Sequence, residues 1–308
     1  MAVGPIAASC ARTSEEDRVD VGGAAGTYWG MRKIDGADDR RSERIDHYGA
    51  SYGNFASALY GEIRCAAFGE DLGQNSWLTS DELETFLGWL DPPPRARLID
   101  IACGSGGPAL RIARLTGCEI LGVDIEDKAI AVAREQARVH GLAERAWFDR
   151  VDAGQALPFQ AGSFDALICI DAVNHLPDRI NVLAEWARVL KSGGRLLFTD
   201  PIVVTGPLSN EEIAVRSSIG YFLFAPPGED ERLIDAAGLE LLRREDVTEN
   251  MAQVARRWGA ARAARAEDLR RIEGVVTFEG QQEFFRVAER VARERRLSRF
   301  VYVAMKPA

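Results

Sequence analysis

Short apolar runs alternate with amphipathic stretches through most of the chain. The runs fall at residues 97–102, 118–123, 146–151, 164–170, 194–199 and 239–247. The runs at 97–102, 118–123 and 164–170 are mostly aliphatic residues or cysteine, as strands covered on both faces require, while 146–151 and 239–247 carry more charge. Between them, apolar positions recur every three or four residues, the period of a helix, and Gly117 and Gly141 stand where helices stop. Strands alternating with helices predict a parallel sheet sandwiched between helical layers. A last run, Phe300-Val301-Tyr302-Val303-Ala304-Met305, reads as an antiparallel strand closing the edge of that sheet.

Upstream, Ile45, Tyr48, Tyr52, Phe55, Leu59 and Ile63 repeat at helical spacing and predict one helix over about residues 41–68. The next helix carries explicit start signals. Thr79 is its N-cap, Glu82 completes a capping box, and Leu78 faces Leu83 as a hydrophobic staple. Pro92-Pro93-Pro94 ends it, because proline removes helix donors and clashes with the preceding turn. The domain plan is a mobile or disordered arm (1–26), a helical cap (27–94) and a sheet domain (95–308). Two insertions interrupt the sheet domain, at about 203–227 with Tyr221, Phe222 and Phe224, and at about 250–297 with two helices. Both adjoin strand carboxyl ends, so both read as lids.

Composition narrows the class. With 308 residues and 46% apolar content, one large α/β domain can bury a sizeable core. A net charge of −9 argues against nucleic acid as the main partner, although residues 250–299 hold 12 Arg against 7 acids, which reads as a solvated helical face. Cys10, Cys65, Cys103, Cys118 and Cys169 show neither metal spacing nor an even disulfide framework. No metal site is expected. The amino terminus lacks a basic start followed by an apolar core, and no apolar run is long enough to span a bilayer, so the expectation is a cytoplasmic chain without membrane contact. Homo-oligomerisation stays open.

The densest chemical signal is Leu98-Ile99-Asp100-Ile101-Ala102-Cys103-Gly104-Ser105-Gly106-Gly107: strand, acid, glycine loop, helix. Glycines at a strand's carboxyl end let a ligand lie against bare backbone. Gly104-x-Gly106-x-x-Ala109 also fits a dinucleotide fingerprint, which keeps a nicotinamide-dependent oxidoreductase as a distant alternative. The second strand ends at Asp124, 20 residues after Gly104, where a carboxylate can accept two ribose hydroxyls. The third delivers Asp152-Ala153, suited to an adenine edge, a pair that dinucleotide sites do not need. Leu157-Pro158-Phe159, a fourth strand ending at Asp171, and Lys191-Ser192-Gly193-Gly194-Arg195 complete the series.

Over about residues 96–250 this ordered set resembles the class I S-adenosylmethionine-dependent methyltransferases, most of all the small-molecule branch containing phosphoethanolamine and glycine/sarcosine N-methyltransferases. The resemblance implies a doubly wound, seven-stranded, mostly parallel sheet of Rossmann-like methyltransferase type, with S-adenosylmethionine as cofactor. It implies Asp100 at the methionyl ammonium, Gly104 and Gly106 with Ala102 at the methionyl and ribose portions, and Asp124 with Ile125 at the ribose. Asp152 and Ala153 then belong to the adenine and Asp171 to the sulfonium end. Gln74 and Trp77 lie in a segment that such relatives fold over the cofactor. Nucleic-acid methylation is disfavoured, since Asp171-Ala172-Val173-Asn174 stands where an Asn-Pro-Pro-Tyr motif would be.

For the acceptor, His175 fits either a general base or a structural role at the next helix's start, and Asn174 beside it is a substrate-contact candidate. Asp200 fits either a catalytic contact to a cationic amine or the start of a turn. Tyr48 and Tyr52 fit either the substrate or the buried stripe of their helix. Tyr221, Trp258 and Trp29 could add cation–π attraction. Arg265 interrupts an apolar stripe, either snorkelling or aimed at an anion. The reading is methyl transfer to an N or O atom of a small molecule such as an amine, an amino acid or a secondary metabolite, with C-methylation of a natural-product precursor as the alternative.

Overall fold

The computed structural model describes residues 45–308. The arm, the first part of the cap, Trp29 and Cys10 lie outside the described residues. Seven strands form one sheet in the order β3-β2-β1-β4-β5-β7-β6. They are β1 (Arg97–Ile101), β2 (Glu119–Asp124), β3 (Ala146–Arg150), β4 (Phe164–Cys169), β5 (Leu190–Val204), β6 (Glu240–Asp246) and β7 (Leu297–Met305). β1 pairs in parallel with β2 and β4, β2 with β3, and β4 with β5. β7 is antiparallel to both β5 and β6. The chain therefore winds outward in both directions from the β1/β4 boundary, and this reversal opens a crevice at the strand carboxyl ends.

The last strand is not the edge. It lies between β5 and β6, and the burial difference explains why. Leu297–Phe300 and the residues after it are buried through Ala304, whereas every residue of β6 is exposed. The charged sequence Glu-Leu-Leu-Arg-Arg-Glu-Asp suits an edge, where charges discourage further pairing.

Helices α4 (Gly107–Thr116), α5 (Asp127–Val139) and α6 (Arg179–Val189) cover the sheet, and two apolar clusters form its core. One is centred on Phe164, Trp186 and Phe198, the other on Phe86, Leu98 and Phe148. The predicted single helix over 41–68 is two, α1 (His47–Gly53) and α2 (Ala58–Phe68). Asn54 breaks it by turning its side-chain Nδ2 back to donate to the Ala50 carbonyl, a local competition that short polar side chains offer the backbone. Helix α3 (Ser80–Leu90) starts at Thr79 as predicted, with the Thr79 hydroxyl accepting the Glu82 N–H. The reciprocal half of the capping box is diverted, because the Glu82 carboxylate instead accepts from Arg299 on β7.

The first insertion contains a short helix, α7 (Asn210–Arg216), followed by α8 (Glu229–Ala236). The second holds three helices rather than two: α9 (Thr248–Ala263), α10 (Ala266–Glu273) and α11 (Val275–Arg293). With α2 they bury a third, aromatic cluster around Phe68, Trp77, Trp258 and Phe285.

Asp200, expected at the substrate, is fully buried within β5. Its Oδ2 accepts from Arg179 Nη1 at 2.6 Å, and the same nitrogen donates to Asp230 Oδ1 at 2.8 Å. Two carboxylates sharing one buried guanidinium tie α6, β5 and α8 together. Burial, then the neighbouring Asp200 charge, pushes Asp230 from an ordinary 3.8 up to about 8.

Two tests follow from this packing. Because burial and the Asp200 charge raise the Asp230 carboxyl, the folded chain keeps a proton at this site that the unfolded chain releases near pH 4, so stability falls as pH rises from there. Asp230→Asn should flatten this slope in urea titrations from pH 4 to 8; an unchanged slope would reject the protonated assignment. At Gly107 an added Cβ would lie 1.4 Å from the Leu72 carbonyl oxygen. Because that neighbour is backbone, Gly107→Ala should cost about 1–3 kcal/mol in the same assay.

Candidate functional site

A cavity of about 280 Å³ opens at the crevice. Four strand ends contribute to it: Asp100 and Ala102 from β1, Asp124 and Ile125 from β2, Asp152 and Ala153 after β3, and Asp171 after β4. Tyr48 and Tyr52 from α1, Gln74, Gly104, His175 and Tyr221 also line it. The sequence thus scatters along the chain a set that the parallel winding brings to one rim. Ala102 and Asp171 hold left-handed backbone (φ 56° and 53°), costly for side-chain-bearing residues and typical of sites the surroundings must impose. Gly104 has φ 54°, and a Cβ there would stand 2.7 Å from the Tyr52 hydroxyl.

Asp124 is oriented by two backbone amides. Gly104 N–H donates to Oδ2 at 2.8 Å and Glu126 N–H to Oδ1 at 2.9 Å. Asp100 is buried beside it and receives no side-chain or backbone hydrogen bond among the described residues. Burial raises both carboxyls above the ordinary range, at Asp100 with help from the Asp124 charge and at Asp124 against its two backbone bonds. Such a pair gains from any ligand bringing a positive charge and hydroxyl donors. Asp152 is exposed at the rim, its Oδ1 accepting the Gly154 N–H at 2.9 Å.

The segment 70–77 crosses the mouth as a strap. Gln74 does not offer its amide to the cavity: Oε1 accepts the Leu72 N–H and Nε2 donates to the Leu78 carbonyl, folding the strap on itself. Ser105 Oγ donates to the Gly73 carbonyl, and Asp171 Oδ2 accepts the Trp77 N–H at 2.8 Å. Asp171 is thereby consumed by protein groups, since Thr199 Oγ1 and Arg299 Nε both donate to Oδ1 at 2.7 Å.

His175 sits in a single 3-10 turn, Val173–His175, directly after β4. Its Nδ1 lies 2.8 Å from the Tyr221 carbonyl, which can only accept, so Nδ1 carries the proton. Nε2 is then an acceptor, and Tyr48 O–H donates to it at 2.9 Å. A carbonyl that fixes the tautomer and a phenol on the reactive nitrogen make a base oriented from both sides. His47 is different. Burial lowers it to about 4, so it is a neutral core histidine between Gln281 and Asn75.

Several expected residues are elsewhere. Trp258 packs in the aromatic cluster with Phe68 and Phe285 and does not reach this cavity. Trp77 contributes its backbone, while its ring stacks on Phe284. Arg265 caps α10 at the surface, held by Glu62 and Asp268, because the apolar stripe breaks between α9 and α10. Asn174 is buried behind the wall, and Gly106 caps α4 rather than lining the cavity. Asp200 is the counter-ion of Arg179. Thr199 and Arg299, which hold Asp171, went unnoticed because nothing local marks them: their partners are 28 and 128 residues away. Among the described residues no cluster of His, Cys, Asp or Glu could hold a metal, and no helix is long and apolar enough to cross a membrane.

Residues 99–198 match the family described as methyltransferase domain. The chain is 34% identical over 194 residues to 27-O-demethylrifamycin SV methyltransferase of Amycolatopsis mediterranei, covering 59% of this chain and 71% of that protein. It is 37% identical over 166 residues to methyltransferase GfsG of Streptomyces halstedii, covering 52% of this chain and 58% of that one. Among solved structures, phosphoethanolamine N-methyltransferase 2 of Haemonchus contortus, in complex with phosphomonomethylethanolamine and S-adenosylhomocysteine, shares the fold with a TM-score of 0.70 at 21% identity, over 83% of this chain and 59% of that one. The paired acids at β1 and β2, the glycine loop and the reversed β7 agree with these matches, and the dinucleotide alternative falls. The chain belongs to the S-adenosylmethionine-dependent methyltransferases.

Proposed function

We propose that this protein methylates an oxygen or nitrogen atom of a small diffusible molecule, with a hydroxyl favoured, in the space between Tyr48, His175 and Tyr221. The observation that carries this reading is the Tyr221–His175–Tyr48 chain of hydrogen bonds at the cavity wall. An amine can lose its proton to water, whereas an aliphatic hydroxyl needs a base, and an imidazole with Nε2 held as acceptor supplies one. The case for a cationic amine rested on Asp200, and that carboxylate is fully buried and paired with Arg179. The relative whose name specifies a 27-O position supports an oxygen acceptor of natural-product type.

S-adenosylmethionine, when bound, supplies a methyl group on a sulfonium for in-line displacement. The residues present fit it. Unpartnered Asp100 suits the methionyl ammonium, Asp124 with Ile125 the ribose hydroxyls, and Asp152 with Ala153 the adenine edge. Gly104 lets the backbone come close, Gly106 starts the helix behind it, and Ala102 and Asp171 shape the strand-end turns. Gln74 and the backbone of Trp77 keep the strap across the mouth, which excludes water from the reacting groups. The rest of the chemistry belongs to His175, which takes the acceptor's proton at Nε2, directly or through the Tyr48 hydroxyl, while the Tyr221 carbonyl stabilises the resulting imidazolium at Nδ1.

Asp124→Ala should weaken S-adenosylhomocysteine binding by about 1.5–3 kcal/mol in calorimetry, the value of hydrogen bonds to a charged group. In the unaltered protein that affinity should fall as pH drops, beginning above the usual carboxylate range because Asp100 and Asp124 are both raised and must ionise to bind. A pH-independent affinity would contradict both assignments. His175→Ala should lower turnover of a hydroxyl acceptor, found by a labelled-methyl screen of metabolites, by about 10²–10⁴-fold. Its affinity for S-adenosylhomocysteine should be unchanged; full turnover would make His175 structural.

A further inference from the structure

Arg179, Arg216, Arg262 and Arg299 are all almost completely buried. Three of them hold carboxylates: Arg179 holds Asp200 and Asp230, Arg262 holds Glu273, and Arg299 holds Asp171 and Glu82. Among the described residues Arg216 pairs with no carboxylate, and its Nε and Nη1 find no hydrogen-bond partner there. Instead three rings surround it, with its guanidinium carbon 4.4 Å from the centre of Phe284, 5.6 Å from Phe222 and 5.7 Å from Trp77. Aromatic faces offset part of the lost hydration of a cation but accept no ordinary N–H hydrogen bond. Burial accordingly lowers Arg216 to about 10, and the groups opposing that push are Tyr48 and Asp171, which both line the cavity.

Its place in the fold gives this unpaired cation meaning. Arg216 ends α7, and the loop that follows carries Gly220 and Tyr221 into the cavity wall. The Phe222 ring, on which Arg216 rests, also meets the His175 ring edge-on at 4.8 Å. The cation therefore stands behind the wall that carries His175 and Tyr221 without itself lining the cavity, so an anion meets it only when Phe222 gives way. A dehydrated guanidinium with unmet N–H groups gains from an anion that arrives with a ligand.

We propose that Arg216 is the receptor for an anionic group, a carboxylate or a phosphate, on the methyl acceptor, and so sets the enzyme's substrate class. This rests on the reading of the cavity as the methyl-transfer site. Nη2, which also makes no hydrogen bond among the described residues, completes a planar fork with either Nε or Nη1 that matches a carboxylate or a phosphate.

The test titrates sodium acetate and inorganic phosphate separately into the protein with and without S-adenosylhomocysteine, at constant ionic strength with chloride as control. The expected result is a saturable rise in Tm with one of the two. Acetate alone identifies a carboxylate site and phosphate alone a phosphate site. Arg216→Met should abolish the rise, keep S-adenosylhomocysteine affinity within about twofold, and leave the anion-free Tm equal or higher, because an uncompensated buried charge is gone. Arg216→Lys, which keeps charge without the fork, should bind the same anion about tenfold more weakly. No saturable rise with either anion in the unaltered protein, or an equal rise in Arg216→Met, overturns the proposal and leaves Arg216 as an anchor for the aromatic cluster. Failure of the methyl-transfer reading shows separately, as no Tm response to S-adenosylhomocysteine, and the anion titration without it still decides the role of Arg216.

Discussion

The site depends on one buried ionic bridge. Arg299, wholly inaccessible on β7, donates through Nε to Asp171 and through Nη1 to both oxygens of Glu82. Burial opposes its charge, yet the Asp171 and Glu82 carboxylates outweigh that and raise its pKa. Asp171 in turn receives the Trp77 N–H and the Thr199 hydroxyl. One guanidinium thus fastens the end of β4, the helical cap at α3 and the strap over the cavity to β7, the strand beside the sheet edge. Breaking such a pair from one side strands a buried charge, at a cost of about 3–5 kcal/mol, so the cap and the sheet edge are coupled in energy as well as in space.

The same bridge separates the carboxylates into two kinds. Asp171 and Asp200 are neutralised by arginines and shape the scaffold, whereas Asp100 and Asp124 face the cavity with their charge uncompensated by any side chain. Protein interiors tolerate unpaired ionisable groups where a ligand completes them. Arg216 is their counterpart of opposite sign, buried behind the wall that carries Tyr221. With dehydrated acids lining the cavity and a dehydrated cation behind its wall, the charge around the cavity is unevenly placed.

His175 illustrates how a modest local element acquires chemical direction. A single 3-10 turn sets the imidazole at the rim, but a carbonyl 46 residues later fixes its proton and a phenol 127 residues earlier fixes its lone pair. Neither partner is recognisable in the neighbourhood of His175 in the chain. The histidine itself was visible; its tautomer was not.

The strands, their parallel winding, the cap helix at Thr79, the glycine loop and the acids at Asp100, Asp124 and Asp152 were legible in the chain alone, because burial periodicity, helix caps and glycine loops are local properties that a one-dimensional pattern records. The interior position of β7, the break at Asn54, the diversion of Glu82 to Arg299 and the withdrawal of Asp200, Trp258 and Arg265 from the cavity were decided in three dimensions. In each case a residue had two acceptable fates within its own segment, and a partner far along the chain chose between them by desolvating a charge or covering a ring. Local sequence determines which chemistry a side chain carries; only packing determines whether that chemistry is spent on the scaffold or turned toward a ligand.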